Sequence, residues 1–125
     1  MFRSTTSACF MVTTSQDAIP PRSLETARTW LRQELEIRHL PSLPEDIADG
    51  LFLQGRSAWT FRYEVLQVTA LEEAWRLEVQ ITALLKKEFK PYLDQQRYFY
   101  TAELVLAKAD ECPIQLFIAP AESLP

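Results

Sequence analysis

The chain has 125 residues, of which 47% are hydrophobic and 24% charged, and its formal net charge is −4. That length is typical of a single domain, and no stretch approaches the ~20 apolar residues of a membrane-spanning helix, so we expect no membrane insertion. The acidic balance argues against general nucleic-acid binding, which needs an excess of Lys and Arg. With only Gly50 and Gly55, the chain also lacks glycine-rich phosphate loops.

The N-terminal segment and the two cysteines indicate the cellular compartment of the protein. Cys9 and Cys112 form neither a dense disulfide framework nor a C-x-x-C pair, which favours a reduced, cytoplasmic protein. The apolar run at residues 8–12 is too short for the apolar core of a signal peptide. Residues 1–22 are rich in Ser and Thr, and we expect a flexible tail there, to which residues 8–13 can add a short edge strand.

The next segments have helical periodicity. An amphipathic helix is predicted over residues 23–38, with Ser23 as its N-cap and Pro41 preventing its continuation. Its apolar face consists of Leu24, Ala27, Leu31 and Leu35. A second, shorter helix is predicted from the capping box between Ser42 and Glu45, with Gly50 as the stop after Asp49.

After Gly55 the apolar period changes to two, which predicts four strands. The first begins at Trp59, and its alternation slips at Leu66, as a bulge would cause. The second, from Trp75 to Ala83, is the most regular. The third runs over 97–107 and the fourth over 113–119, and shared inward faces predict two cross-strand pairs. These pairs are Leu104 with Leu116 and Leu106 with Ile114.

Together these elements predict an α+β fold. The N-terminal helix packs on a four-stranded antiparallel meander sheet, five-stranded if the tail strand joins, in a two-layer sandwich. Residues 23–119 form the single domain, and residues 120–125 are a C-terminal tail. With the tail strand included, the order of elements resembles the layout of cystatin and nuclear-transport-factor-like folds, which by itself carries no function.

The sequence contains no recognisable catalytic, metal or cofactor motif. The single histidine, His39, has no His or Cys neighbour at ligand spacing, and neither Ser57 nor Cys112 lies in a nucleophile motif. The acidic clusters fall at helix starts and turns, where capping and solvation explain them. We therefore expect no bound metal and no cofactor, and favour a non-catalytic protein over an enzyme.

The most unusual stretch is residues 86–100, which connect the second and third strands. It holds four basic and two acidic residues, interleaved with five aromatic residues, in a chain that is acidic elsewhere. Such a stretch is typical of an interaction surface, because Tyr and Arg provide large contact areas. We expect an accessory or adaptor protein that binds an acidic protein partner here. The predicted partner-binding residues are Lys86, Lys87, Lys90, Tyr92, Arg97 and Phe99.

Two alternatives remain open. Bulky aromatic residues on the concave side of the sheet can line a small-molecule pocket, which would include an enzymatic site. The predicted pocket residues are Trp30, His39, Trp59, Arg62, Tyr63, Trp75, Tyr98 and Tyr100. The same rings can equally be plain core.

In addition, an open edge strand with Phe99 or Phe117 pointing outward makes a symmetric homodimer a reasonable expectation.

Overall fold

A computed structural model describes residues 13–14 and 19–121 of the chain. Strand β1 (Thr13–Thr14) precedes helix α1 (Pro21–Glu34), which continues through a wide π-helical turn, Leu35–His39. Helix α2 is Glu45–Leu53. Four long strands follow: β2 (Trp59–Ala70), β3 (Ala74–Leu85), β4 (Arg97–Ala107) and β5 (Pro113–Ala121), with a short 3-10 helix at Lys87–Tyr92 between β3 and β4.

Within the described residues, the five strands form one antiparallel sheet in the order β1-β2-β3-β4-β5. Helix α1 covers one face of this sheet, and the predicted α+β two-layer sandwich is confirmed. The segment from Trp75 to Ala83 is a strand, as its alternation predicted. The predicted slip in the first strand is a β-bulge between Val65 and Gln67.

Side chains from α1 and the inner face of the sheet form the core. Ala27, Leu31 and Leu35 on the helix are at most 1% exposed. Opposite them, the fully buried side chains of the sheet belong to β2, β3 and β4, and include Val68, Leu77, Ile81, Leu104 and Leu106. Ile19, ahead of the helix, also lies in this core. The middle strand β3 thus contributes most of its inward residues to one contiguous cluster.

Both helices differ from their predicted bounds. Helix α1 starts at Pro21, whose fixed φ and missing N–H suit the first helical position, and Ser23 lies inside the helix instead of capping it. In α2 the predicted capping box does not form, and the helix continues past Gly50 to Leu53. The chain reverses at Gly55, where φ is 65°, a value that glycine adopts without strain. The predicted stop at Gly50 was wrong because a mid-helix glycine weakens a helix without ending it.

The β4–β5 pairing confirms one predicted contact and corrects the other. Leu104 lies opposite Leu116, as predicted, but Leu106 lies opposite Pro113 because the register shifts between Val105 and Leu106. Ile114 is therefore the extra residue of a bulge and is 64% exposed. Strand β5 extends to Ala121, two residues beyond the predicted end. The tail predicted over 1–22, with its edge strand at 8–13, lies mostly outside the described residues, as do residues 122–125.

Glu111, in the turn between β4 and β5, joins that turn to α1. The Ser23 hydroxyl donates to Glu111 Oε2 at 2.7 Å, and the Thr26 hydroxyl donates to Oε1 at 3.2 Å. The Trp30 indole donates to the Glu111 carbonyl at 3.1 Å. Glu111 has a φ of 59°, which is uncommon for a non-glycine residue, and these contacts hold it there. Ser23 can be buried without loss because its hydroxyl donates a hydrogen bond to this carboxylate.

We predict that Ile81→Ala lowers the free energy of unfolding by about 2–5 kcal/mol, because it leaves a cavity under α1 in the centre of the sheet. Urea-induced unfolding followed by circular dichroism measures this change. Leu53→Ala is the matched control, since Leu53 is 85% exposed and its truncation should change stability by less than about 0.5 kcal/mol. Equal effects of the two substitutions would contradict the core assignment.

The contact between Ser23 and Glu111 should depend on pH. The hydrogen bond from Ser23 is the main reason that the pKa of Glu111 lies below its ordinary value; partial desolvation opposes it, and Arg22 and Thr26 lower it further. A lowered folded-state pKa means that the stabilisation is present above the unfolded-state pKa and is lost as pH falls through the folded-state value.

We therefore predict that the coupling free energy between Ser23→Ala and Glu111→Gln, from a double-mutant cycle of unfolding, is favourable at pH 7 and decreases toward pH 3. The single Ser23→Ala substitution should cost about 1 kcal/mol at neutral pH, as expected for a lost hydrogen bond. A coupling that is the same at both pH values would show that the carboxylate charge does not contribute.

Candidate functional site

The basic and aromatic stretch lies at one end of the sheet, where β2 starts, β3 ends and β4 starts. We call this surface the rim and define it by Lys86, Lys87, Lys90, Tyr92, Arg97 and Phe99. The 3-10 helix Lys87–Tyr92 forms its outer border. Antiparallel strands alternate in direction, so segments far apart along the chain meet at this end.

Backbone hydrogen bonds and one buried ring fix the rim on the sheet. The Lys86 N–H donates to the Ala58 carbonyl at 2.8 Å, and the Leu85 N–H donates to the Gln96 carbonyl at 2.9 Å. Between these two anchors, the Phe89 ring inserts into the core and is only 7% exposed. The lysines on either side of Phe89 consequently project from a backbone that is held in place.

The four rim cations form no ion pairs within the described residues. Lys87, Lys90 and Arg97 are exposed and Lys86 is half-buried. None of the four comes within ion-pair distance of a carboxylate among the described residues. Nearby, the pair between Arg56 and Glu88, at 2.9 Å, neutralises one acidic residue of the stretch. Asp94 and Glu64 also line the depressions beside these cations, so the rim presents an excess of positive charge and not positive charge alone.

Several open depressions converge on Arg97. One of about 870 Å³ runs along the β3–β4 connection past Lys86, Lys87 and Lys90. Another, of about 330 Å³, lies on the outer face of the sheet between Arg62 and Phe99. They share Leu84 and Arg97, so they adjoin and form one continuous groove, lined mainly by polar and charged side chains.

Phe99 and Tyr92 occupy different parts of the rim. Phe99 is half-buried, pairs with Thr82 across the sheet and faces outward, as the alternation predicted. Tyr92 is 45% exposed at the end of the 3-10 helix. The structure thus brings Phe99 to the groove beside Arg97, while Tyr92 lies at the border of the rim.

The predicted pocket residues are distributed over both ends of the sheet and both of its faces. Trp30 and Trp75 lie at the end opposite the rim, where Trp30 contacts Glu111 and Lys108 covers the Trp75 ring at 4.5 Å. Arg62 lies on the outer face of the sheet. The other members of the set pack near the rim end, and they are His39, Trp59, Tyr63, Tyr98 and Tyr100.

Most of the aromatic side chains near the rim pack against neighbouring rings or donate hydrogen bonds to the backbone. Trp59 is 6% exposed and meets Tyr98 edge-on, at 5.6 Å between ring centroids. The Tyr100 hydroxyl donates to the His39 carbonyl at 3.3 Å. Tyr63 donates to the Arg28 carbonyl at 3.3 Å, and burial raises the pKa of Tyr63 to about 12. That phenol remains protonated at neutral pH and cannot act as a base there.

One depression of about 350 Å³ does combine charged and aromatic residues from the predicted sets. It is lined by His39, Arg97, Tyr98, Phe99 and Tyr100, together with Arg38 and the end of β5. Its position at the rim end makes it a neighbour of the groove, and the two share Arg97. The residues predicted for two separate sites therefore meet here.

Sequence reasoning missed three arginines near the rim, because they come from other segments. Arg32 and Arg56 line a depression that also includes Lys86, and Arg38 lies beside Arg97. Nothing in their local sequence marks them, since exposed cations in helices and loops are ordinary. The packing of α1 on the sheet brings Arg32 and Arg38 to this end, and the loop between α2 and β2 brings Arg56.

The structure shows no preformed metal cluster in the part of the chain that it describes: no three His, Cys, Asp or Glu side chains converge there. Likewise, none of the described helices is long and apolar enough to cross a membrane. No protein-family model matches this chain, and no curated protein or solved structure matches it either. The resemblance in layout to cystatin and nuclear-transport-factor-like folds rests on the order of elements alone.

We predict that Phe89→Ala loosens the rim, because this ring is its only deeply buried anchor between Lys86 and Tyr92. The substitution should lower the free energy of unfolding by about 3–5 kcal/mol. Under native conditions, trypsin should cleave after Lys86 or Lys87 faster than in the wild type; Lys90 is followed by Pro91 and is not a trypsin site. Tyr92→Ala is the control and should leave the cleavage rate nearly unchanged. Equal cleavage in both variants would contradict the anchoring role.

Proposed function

We propose that the protein is a non-catalytic accessory or adaptor protein that binds an acidic protein partner through the rim. The observation that carries the proposal is the group of four unpaired cations around a continuous groove, in a chain with a net charge of −4. We further propose a cytoplasmic location, which the cysteine pattern favours.

The chemistry of the rim favours a protein ligand with carboxylates. Unpaired Lys and Arg side chains keep most of their hydration until a partner arrives, and an acidic surface is attracted to them over about a Debye length. The half-buried Phe99 and Leu84 supply apolar contact area beside Arg97. Charged residues around an apolar centre are the usual arrangement of a protein interface.

A quadruple variant with Lys86, Lys87, Lys90 and Arg97 changed to Ala tests the proposal. We expect its affinity for a synthetic Glu-rich peptide containing one aromatic residue to fall by about tenfold or more, because the attraction across the interface is lost. Isothermal titration calorimetry measures the affinity, and increasing salt should weaken the wild-type interaction. Affinity purification from the source cells with the same variant extends the test to natural partners.

The matched control is a variant with Arg22, Arg28, Arg76 and Lys108 changed to Ala. It removes the same number of positive charges from surfaces away from the rim. It breaks three surface ion pairs, which contribute little to stability, and the contacts of Arg28 with Tyr63 and of Lys108 with Trp75, so circular dichroism should first show that the variant is folded. We expect it to bind like the wild type. Equal losses in the two variants would show a response to net charge alone, and unchanged binding by the rim variant would remove this surface as the binding site.

The second candidate function is a small-molecule-binding protein, with or without enzymatic activity. It is favoured by the depression of about 350 Å³ beside His39, Arg97 and Tyr100. In that case, substitution of His39 would abolish ligand-induced thermal stabilisation, whereas substitution of Lys87 and Lys90, which lie outside this depression, would leave it unchanged. If the protein is an adaptor, substitution of Lys87 and Lys90 should weaken peptide binding more than substitution of His39 does.

A further inference from the structure

Strand β5 has no charged residue. Its sequence, PIQLFIAPA, spans nine residues, Pro113–Ala121. On one side it pairs with β4, and no described strand pairs with its other side. Edge strands are ordinarily protected by charged side chains, because their free backbone groups can pair with another chain. In β5, protection is limited to the two prolines and to the bulge at Ile114.

The exposed side chains of β5 are large and apolar. Ile114 is 64% exposed and Phe117 60% exposed, whereas Ile118, the next residue along, is 8% exposed. Phe117 therefore points to the outer face of the sheet, away from α1. An uncharged edge with an exposed aromatic residue at its middle has the features of a strand that pairs with another strand.

We propose that β5 pairs with β5 of a second copy of this chain, antiparallel and across a two-fold axis, to form a continuous sheet. An isologous contact requires a surface that is complementary to itself. Because β5 carries no charge, self-pairing places no like charges opposite each other, and its central residues between Pro113 and Pro120 all have a backbone N–H. An acidic or basic partner would find no complementary group along this strand.

The alternation of side chains restricts the register of this pairing. Residues opposite each other in an antiparallel pair point to the same face, so the outward Phe117 must meet an outward residue of the partner. A register centred on Phe117 pairs the regular part of the strand, Gln115 to Ala119, with itself, so Phe117 faces its own copy. Gln115 then faces Ala119. Two facing aromatic rings are a favourable cross-strand pair.

The proposed dimer is independent of the partner-binding function. Ala121, at the end of β5, lies opposite Phe99 of the rim. An antiparallel two-fold pairing would therefore leave the two rims at opposite ends of the combined sheet, both accessible. Loss of dimerisation should leave peptide binding at the rim unchanged, so the two proposals can fail separately.

Charge substitutions at Phe117 test the proposal by sedimentation velocity over a range of concentrations. We expect the wild type to be a dimer, and Phe117→Lys and Phe117→Glu each to weaken the dimer by at least about tenfold, because like charges would face each other. An equimolar mixture of the two variants should associate again, since Lys then faces Glu. Such a rescue is expected only at a position that faces its own copy across the two-fold axis.

Cysteine cross-linking tests the register, in a chain with Cys9 and Cys112 changed to Ser. Phe117→Cys should form a disulfide-linked dimer under mild oxidation, since facing residues are within reach of such a bond, and Gln115→Cys should not. Phe52→Lys, at an exposed position on α2, is the control and should leave the dimer intact.

A monomeric wild type at all concentrations would overturn the proposal. So would a dimer that survives Phe117→Lys, or one that Phe52→Lys dissociates instead. Failure of the Lys and Glu variants to associate with each other would overturn the Phe117-centred register.

Discussion

The packing of one helix against the inner face of the sheet is the contact on which the other features of this structure depend. Leu31 and Leu35 are at most 1% exposed, and they lie in one buried cluster with Leu77 and Leu104 of the central strands. Each such buried side chain stabilises the fold by about 1.5–3 kcal/mol relative to its exposed state. With this face covered, the outer face and both ends of the sheet remain available for polar contacts.

Different contacts fix the two ends of the helix. At its N-terminal end, Ser23 and Thr26 donate to Glu111, which joins α1 to the β4–β5 turn. At the other end, the helix widens into the π-helical turn, and the Leu40 N–H donates to the Leu35 carbonyl five residues back. Leu40 is extended because Pro41 follows it, and this ends the helix beside Tyr100. Because the helix ends there, Arg38 and His39 lie near the rim.

Local sequence patterns predicted the strands and the helix-on-sheet layout, but only part of the cross-strand register. The alternation in the second half predicted four strands, including β4 with its observed bounds, because a strand with one buried face must repeat with period two. The bulge near Leu66 could also be read from a change of phase. The bulge at Ile114 could not be predicted in this way. The exposure of Ile114 depends on how β5 pairs with β4, and the alternation of β5 itself does not show it.

The candidate site was predictable only in part, for the same reason. Lys86, Lys87, Lys90 and Arg97 are close in sequence, and their charge contrasts with the acidic remainder of the chain. The pocket residues, in contrast, were chosen as inward aromatics, and an inward ring can fill the core or line a cavity without any difference in local pattern. Trp59 and Tyr100 fill the core here. Composition thus locates a charged surface more reliably than it locates a cavity.

The two proposed surfaces rely on opposite physical properties. Unpaired cations at the rim stay hydrated, and their attraction to an acidic partner acts over a distance and weakens with salt. The edge of β5 has no such long-range component, and its association depends on backbone hydrogen bonds and burial of Phe117, which act only on contact. Because the rim is charged and the edge is not, neither surface is complementary to the other. The uncharged edge of β5 has no electrostatic attraction to the rim, and an acidic partner has none to β5.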